Sequence, residues 1–227
     1  MDTNWRVAPR EAIQIQHQLR NKVILKPFAR EINYIAGCDI SMNRFATTVY
    51  AGFVVLSFPE LELITHSVIK DIVTFPYIPG LLSFREIPSL LKAWKKLQKK
   101  PDLVMVDGVG IAHPRRLGIA SHLGIALDTP TIGCAKSVLI GRYEEPSTQS
   151  GSIAYMHDPS TNDVIGAAVR TKQNIKPIYI SPGHKITLEE SVHIALQCVK
   201  QHRIPEPTRL AHQIVNIYRV NDKDKVV

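Results

Sequence analysis

The apolar positions of this 227-residue chain change period several times, and each change marks an element. In residues 9–25, Ala12, Ile15, Leu19 and Val23 recur at helical spacing behind Pro9, predicting an amphipathic helix that Pro27 stops. Residues 34–42 read as a strand, with Gly37, Asp39 and Ser41 on one face and Cys38 and Ile40 on the other. Two β-rich runs follow, residues 47–57 and 63–73, joined by a short turn around Pro59-Glu60; so short a connection predicts an antiparallel meander. Residues 84–100 return to the helical period, with Ile87, Leu91, Trp94 and Leu97 on one side and lysines opposite. Leu103-Val104-Met105-Val106 is a strand apolar on both faces. Residues 114–127 read as a helix apolar nearly all round, and residues 131–135 as a fifth strand. Residues 152–156, 164–170 and 178–181 are short β-like runs, taken as an added antiparallel patch. Thr187-x-x-Glu190 is a capping box opening a helix to about residue 202. The segment from Arg203 opens a last helix striped by Leu210, Ile214 and Ile217, with His212 opposite beside Arg209 and Asn216; residues 221–227 are expected to be a frayed, disordered tail.

This order of elements resembles the ribonuclease H-like fold, an α/β architecture whose first and fourth strands lie parallel at the centre of a mixed sheet. The expectation is a five-stranded sheet of that kind, flanked by helices and carrying the added patch, in a single domain over residues 1–220. The adjacency of first and fourth strands brings Asp39 to Asp107, where two carboxylates repel unless a cation intervenes. Oxygen-only ligands at an open site favour magnesium, or manganese in its place, over zinc. Taken alone, the Asp39 segment fits a salt-bridged structural aspartate equally well.

Other segments carry candidate chemistry. Asp107-Gly108-Val109-Gly110-Ile111-Ala112-His113-Pro114-Arg115-Arg116 sets an acid, two glycines, a His and two arginines at a strand end, where sites gather in α/β sheets. It fails the dinucleotide-binding fingerprint, because the acid precedes the glycines and His113 occupies the third glycine's place. In Phe75-Pro76-Tyr77-Ile78-Pro79-Gly80 two prolines stiffen a turn around Tyr77, an aromatic that either folds onto the core or wedges into stacked bases. Glu86 fits a capping box with Ser83, but Pro88 prefers a first turn, which moves Glu86 into the loop beside Tyr77 with Arg85. His122 reads as an interior histidine or an inward-facing site group, and Lys136 as a solvated strand end or a phosphate contact.

The net charge of +8, with lysines grouped at positions 92, 95, 96, 99 and 100, suits a polyanionic partner. Three widely spaced cysteines without a C-x-x-C pair indicate neither a disulfide framework nor a zinc site. Residues 1–10 lack a signal peptide's apolar core, and the most apolar stretch, residues 49–58, is far short of a membrane span. A cytoplasmic protein with no membrane contact is expected.

Over nearly its whole length the chain resembles the endonuclease V family of deoxyinosine-directed DNA repair nucleases. The resemblance rests on Ala36-Gly37-Cys38-Asp39-Ile40-Ser41, the Phe75 to Gly80 turn with Phe84-Arg85-Glu86, and the Asp107 to Arg116 stretch. Ala120-Ser121-His122-Leu123-Gly124, Thr131 to Lys136 and the Arg203 to His212 segment add to it. It implies that Asp39 and Asp107 ligate the metal with Glu86 beside them, and that Pro76-Tyr77-Ile78-Pro79 is the wedge filling the gap left by an extruded base. It places hypoxanthine in a main-chain pocket near Gly80, Leu82 and Gly108, with Gly110, His113 and His122 assigned to the same pocket. Lys136 and His212 are implied as catalytic neighbours, and Arg85, Arg115 and Arg116 as phosphate contacts. Val109 stands where a polar residue is expected in many relatives. The implied reaction is magnesium-dependent hydrolysis of the second phosphodiester bond 3′ to deoxyinosine by a monomer, on duplex or single-stranded DNA, with RNA as a further substrate class. A related structure-specific or RNA-directed nuclease and a non-catalytic nucleic-acid binding module are the competing readings.

Overall fold

The computed structural model describes residues 5–43 and 46–223. In chain order its elements are α1 (Pro9–Leu19), β1 (Tyr34–Met42), β2 (Thr48–Ser57), β3 (Leu63–Ile72), α2 (Leu82–Lys96), β4 (Leu103–Val106), α3 (Ile119–Leu127) and β5 (Thr131–Ala135). There follow β6 (Ile153–His157), β7 (Val164–Val169), β8 (Ile178–His184), α4 (Leu188–Gln197) and α5 (Glu206–Lys223). The strands form one sheet in the order β3-β2-β1-β4-β5-β8-β7-β6. β1 to β3 make the expected antiparallel meander, and β1, β4 and β5 are parallel neighbours at the centre. The expected β patch is not separate: β8 pairs antiparallel with β5, so the five-stranded core continues into an eight-stranded sheet.

Both faces of the sheet are apolar because both are covered. On one, Ile35, Leu103, Met105 and Ile132 pack with Ile194, Ala195 and Ala211 of α4 and α5. On the other, Ala36, Cys38, Val104 and Val106 pack with Ile87, Leu90 and Ala93 of α2 and Ala120 and Leu123 of α3. The register pairs Cys38 with Val106, so Asp39 and Asp107 are the next residues on parallel neighbours. Gly37 seats α5 on this centre: a Cβ there would lie 1.8 Å from the Pro207 carbonyl oxygen.

Local preference and tertiary packing disagree at three helix boundaries. α1 stops at Leu19 and tightens into a 3₁₀ turn over Arg20–Lys22. The chain then runs extended, and Ile24 bonds to His184 Nδ1 through its amide and to Lys185 through its carbonyl. α3 begins at Ile119 rather than residue 114, because Arg116 is left-handed (φ 56°) and Gly118 is tied back to the Gly110 carbonyl at 2.9 Å. α2 begins at Leu82 and contains Pro88, which corrects the expectation that Pro88 excludes Glu86 from the helix. The missing N–H costs one helical bond; burial of Ile87, Leu90 and Ala93 outweighs it. The Thr187 capping box is present as expected, with Glu190 N donating to Thr187 Oγ1 and Thr187 N to Glu190 Oε2. α5 continues to Lys223, so the expected tail is helical at its start, and residues 224–227 lie outside the described ones. No helix among the described residues is long and apolar enough to cross a membrane.

Candidate active site

The carboxylates gather where the central parallel strands end. One ligand atom from each of Asp39, Asp107 and His212 lies within 4.8 Å of the other two. Asp39 leaves β1 on the face that α5 covers, and His212 Nδ1 sits 2.7 Å from its Oδ2. Lys136, the first residue after β5, forms an ion pair with Asp107. Burial raises the Asp39 pKa, and the negative charge of Asp107 raises it further against the lowering influence of His212. Glu86 approaches from α2; burial, then Asp39 and Asp107, push its pKa up to about 8, so without a counter-charge it keeps its proton at neutral pH. Such a cluster is electrostatically unsatisfied and lacks soft sulfur ligands. It fits a hard divalent cation held by Asp39 and Asp107, with Glu86 adjacent.

Beside this cluster a cavity of about 390 Å³ opens between the 76–80 turn and the loop after β4. Asp107 and Lys136 belong to its wall, together with Ile78, Gly80, Leu82, Gly108 and His113. Tyr77 also borders it and is 72% exposed, so the two prolines display the ring instead of burying it. The turn is anchored through one carbonyl. Gly80 (φ 78°) presents its oxygen to Gln16 Nε2 at 3.0 Å, Arg115 Nη2 at 2.7 Å and His113 Nε2 at 3.1 Å. His113 Nδ1 accepts from the Arg115 amide, so its proton is on Nε2, aimed at Gly80. Burial and the nearby Arg115 lower its pKa to about 4, which keeps that tautomer neutral.

Several sequence expectations change here. Arg115, expected at a phosphate, here donates to Gly80 and, through Nε, to Gln16 Oε1. Arg116 is paired with Asp158 at 2.9 Å and Asp163 at 3.3 Å, and Arg85 donates to the carbonyls of Phe75 and Ala46. All three guanidiniums, each half-buried, are bonded to loops of the protein itself. His122 does not border the cavity; it packs between Trp5 and Phe84 with ring centroids 5.1 Å away and bonds to Ser83 Oγ, and burial lowers its pKa to about 3. Gly110 also lies behind the cavity wall, its amide donating to Ser181 Oγ at 2.8 Å. Sequence reasoning missed Gln16, although the signal was present: it falls at the helical period of Ala12 and Leu19, a polar side chain in a buried stripe.

With this geometry in hand, the sequence profile of the family described as Endonuclease V matches residues 17–213. The chain belongs to the endonuclease V family. A relative from Dictyoglomus turgidum named Endonuclease V is 50% identical over 202 residues, covering 89% of this chain and 87% of that protein. The crystal structure of Endonuclease V from Streptomyces avermitilis superposes with a TM-score of 0.90 at 36% identity, over 97% of this chain and 96% of that one. That of Ciona intestinalis Endonuclease V, solved with a 24mer DNA containing an inosine followed by a ribo-adenosine, gives 0.84 at 29% identity, over 93% and 98%. Membership makes the protein a nuclease, and the family's use of a divalent metal agrees with the carboxylate cluster found on independent grounds.

Proposed function

We propose that this nuclease recognises deoxyinosine, the product of adenine deamination, and hydrolyses the second phosphodiester bond on its 3′ side, leaving 3′-hydroxyl and 5′-phosphate ends. The observation that carries the reading is that Asp107 and Lys136 belong at once to the carboxylate cluster and to the wall of the cavity. A base seated in the cavity therefore brings its own backbone to the charged strand ends. Deamination replaces the exocyclic amine with an acceptor oxygen, which main-chain N–H groups in the turn and the loop after β4 are suited to read. Extruding a mispaired base costs less than extruding a paired one, which adds selectivity. Tyr77, exposed and held between prolines, fills the space the base leaves.

Asp39 and Asp107 would hold magnesium, or manganese in its place, with Glu86 beside them; a divalent ion there would supply charge stabilisation for the leaving 3′ oxygen and the scissile phosphate. His212 fixes the Asp39 carboxylate through its hydrogen bond, and Lys136 fixes Asp107. Lys136 also supplies positive charge at the cavity rim for the substrate phosphate.

End-mapping of the product from a duplex with a single deoxyinosine tests the proposal. One magnesium-dependent nick at the second 3′ bond, absent from the deoxyadenosine duplex and abolished by chelator, is the expected result. Parallel inosine-containing RNA separates a DNA nuclease from an RNA nuclease. Retained binding without any nick would instead favour the non-catalytic module.

A further inference from the structure

Asn216, one turn beyond His212 on α5, touches groups that dictate which way its amide faces. Its Oδ1 accepts from Ser41 Oγ at 2.7 Å and from Arg219 Nη2 at 3.2 Å. Its Nδ2 lies 2.8 Å from the His212 carbonyl oxygen and 3.1 Å from His212 Nε2. A guanidinium only donates and a carbonyl only accepts, so the oxygen must face Arg219 and the NH₂ must face His212. Since that NH₂ has only protons to offer, His212 Nε2 presents its lone pair. The proton of the ring is then on Nδ1, directed at Asp39 Oδ2. Arg219 is itself anchored, donating to Ser41 Oγ at 2.8 Å and Asn43 Oδ1 at 2.7 Å. Ser41 is two residues beyond Asp39 on β1, on the same face of the strand.

We propose that Asn216, backed by Ser41 and Arg219, is a positioning residue that turns the His212 Nε2 lone pair to its own NH₂ and so directs the ring's N–H, on Nδ1, at Asp39. In that tautomer His212 donates to Asp39 and does not offer Nδ1 to a cation. The distances alone would admit His212 as a third ligand beside Asp39 and Asp107. With a proton on Nδ1 it braces Asp39 instead, leaving the two carboxylates as an oxygen-only pair. That composition favours hard ions over zinc. Partners that set the ring tautomer and orientation of a metal-site histidine typically matter by 10–100-fold.

The effect on turnover rests on the nuclease reading above; the tautomer does not. Long-range ¹H–¹⁵N spectra of the metal-free full chain, with His212 assigned by the signals lost in His212→Gln, should show a protonated Nδ1 and an unprotonated Nε2. Asn216→Asp replaces the donor with an acceptor and should put a proton on Nε2, while Asp39 still faces Nδ1. The same variant should nick the inosine duplex with kcat reduced about tenfold and KM little changed. A wild-type ring protonated at Nε2 overturns the proposal, and this spectrum decides even if the variant fails to fold. An Nε2 that stays unprotonated in folded Asn216→Asp, or a protonated Nε2 with unaltered kcat, overturns it too. A wild-type chain with the assigned tautomer and no nicking would sink the proposed activity and leave the tautomer standing.

Discussion

Asp39 and Glu86 hold their protons more tightly than free carboxylic acids, through burial and neighbouring negative charge. Across the same cavity the Gly80 carbonyl accepts from three donors at once. One side of the site is short of positive charge and the other has its hydrogen bonds filled. The first gains by taking a cation, so its arrangement is a cost to the folded protein that binding relieves. The second gains nothing by rearranging, so the turn that carries Tyr77 arrives with its shape set. Substitutions on the two sides should therefore separate activity from stability in opposite directions.

The largest effect is expected from Asp107→Ala. It should lower inosine nicking by more than about a hundredfold, the scale of losing one well-placed electrostatic group. The urea midpoint should hold or rise, because the charge that raises the Asp39 pKa is gone. Nicking rates and urea denaturation on one preparation check both halves; full activity would remove Asp107 from the metal site.

Gln16→Leu inverts that pattern. Gln16 is 1% exposed, spans the Gly80 and Leu117 carbonyls and accepts from Arg115, so the leucine strips partners from buried groups. A stability loss of about 1–3 kcal/mol is expected in urea. Affinity for inosine duplex should fall more than the rate of cleavage at saturation. An unchanged affinity would show that the turn keeps its shape without the clamp.

The aromatic packing behind the turn gives the comparison a pH signature. His122 is 1% exposed and its pKa falls from an ordinary 6.5 to about 3. The unfolded chain takes up this proton before the folded one. The stability held above pH 6.5 is thus lost as pH drops towards 3, by about 2 kcal/mol at pH 5. His122→Phe should flatten that part of the profile, measured as the difference in urea midpoint between pH 7.5 and 5. An equally steep profile would place the acid sensitivity elsewhere.

The carboxylate side was legible in sequence because it follows from strand order: once β1 and β4 are parallel neighbours, the residues after Cys38 and Val106 must meet. The Thr187 capping box was legible because its partners are three residues apart. The clamp was not. In sequence Arg115 reads as a phosphate ligand; its bond to Gly80, 35 positions away, emerges only in the fold, because a guanidinium donates to a carbonyl as well as to a phosphate. Pro88 misled for the opposite reason, since its local preference yields to the buried face of α2. That β8 joins β5 left no trace in periodicity, because either face of a short apolar strand suits either neighbour.

The smallest effect on the protein itself is expected at Tyr77, which the clamp positions without burying. At 72% exposure its removal should leave stability within about 0.5 kcal/mol. Its contribution appears only with nucleic acid, because a ring that fills the gap of an extruded base has that gap only in a duplex. Tyr77→Ala should therefore weaken binding to duplex deoxyinosine by about tenfold, the scale of one lost base–aromatic stack. Binding to the same lesion in single-stranded DNA should change much less. Paired titrations of the two substrates at one salt concentration check this, since phosphate contacts would otherwise mask the difference. Equal losses on both would mean that Tyr77 contacts the lesion base itself, and the stiff turn would then be part of the pocket and not a wedge.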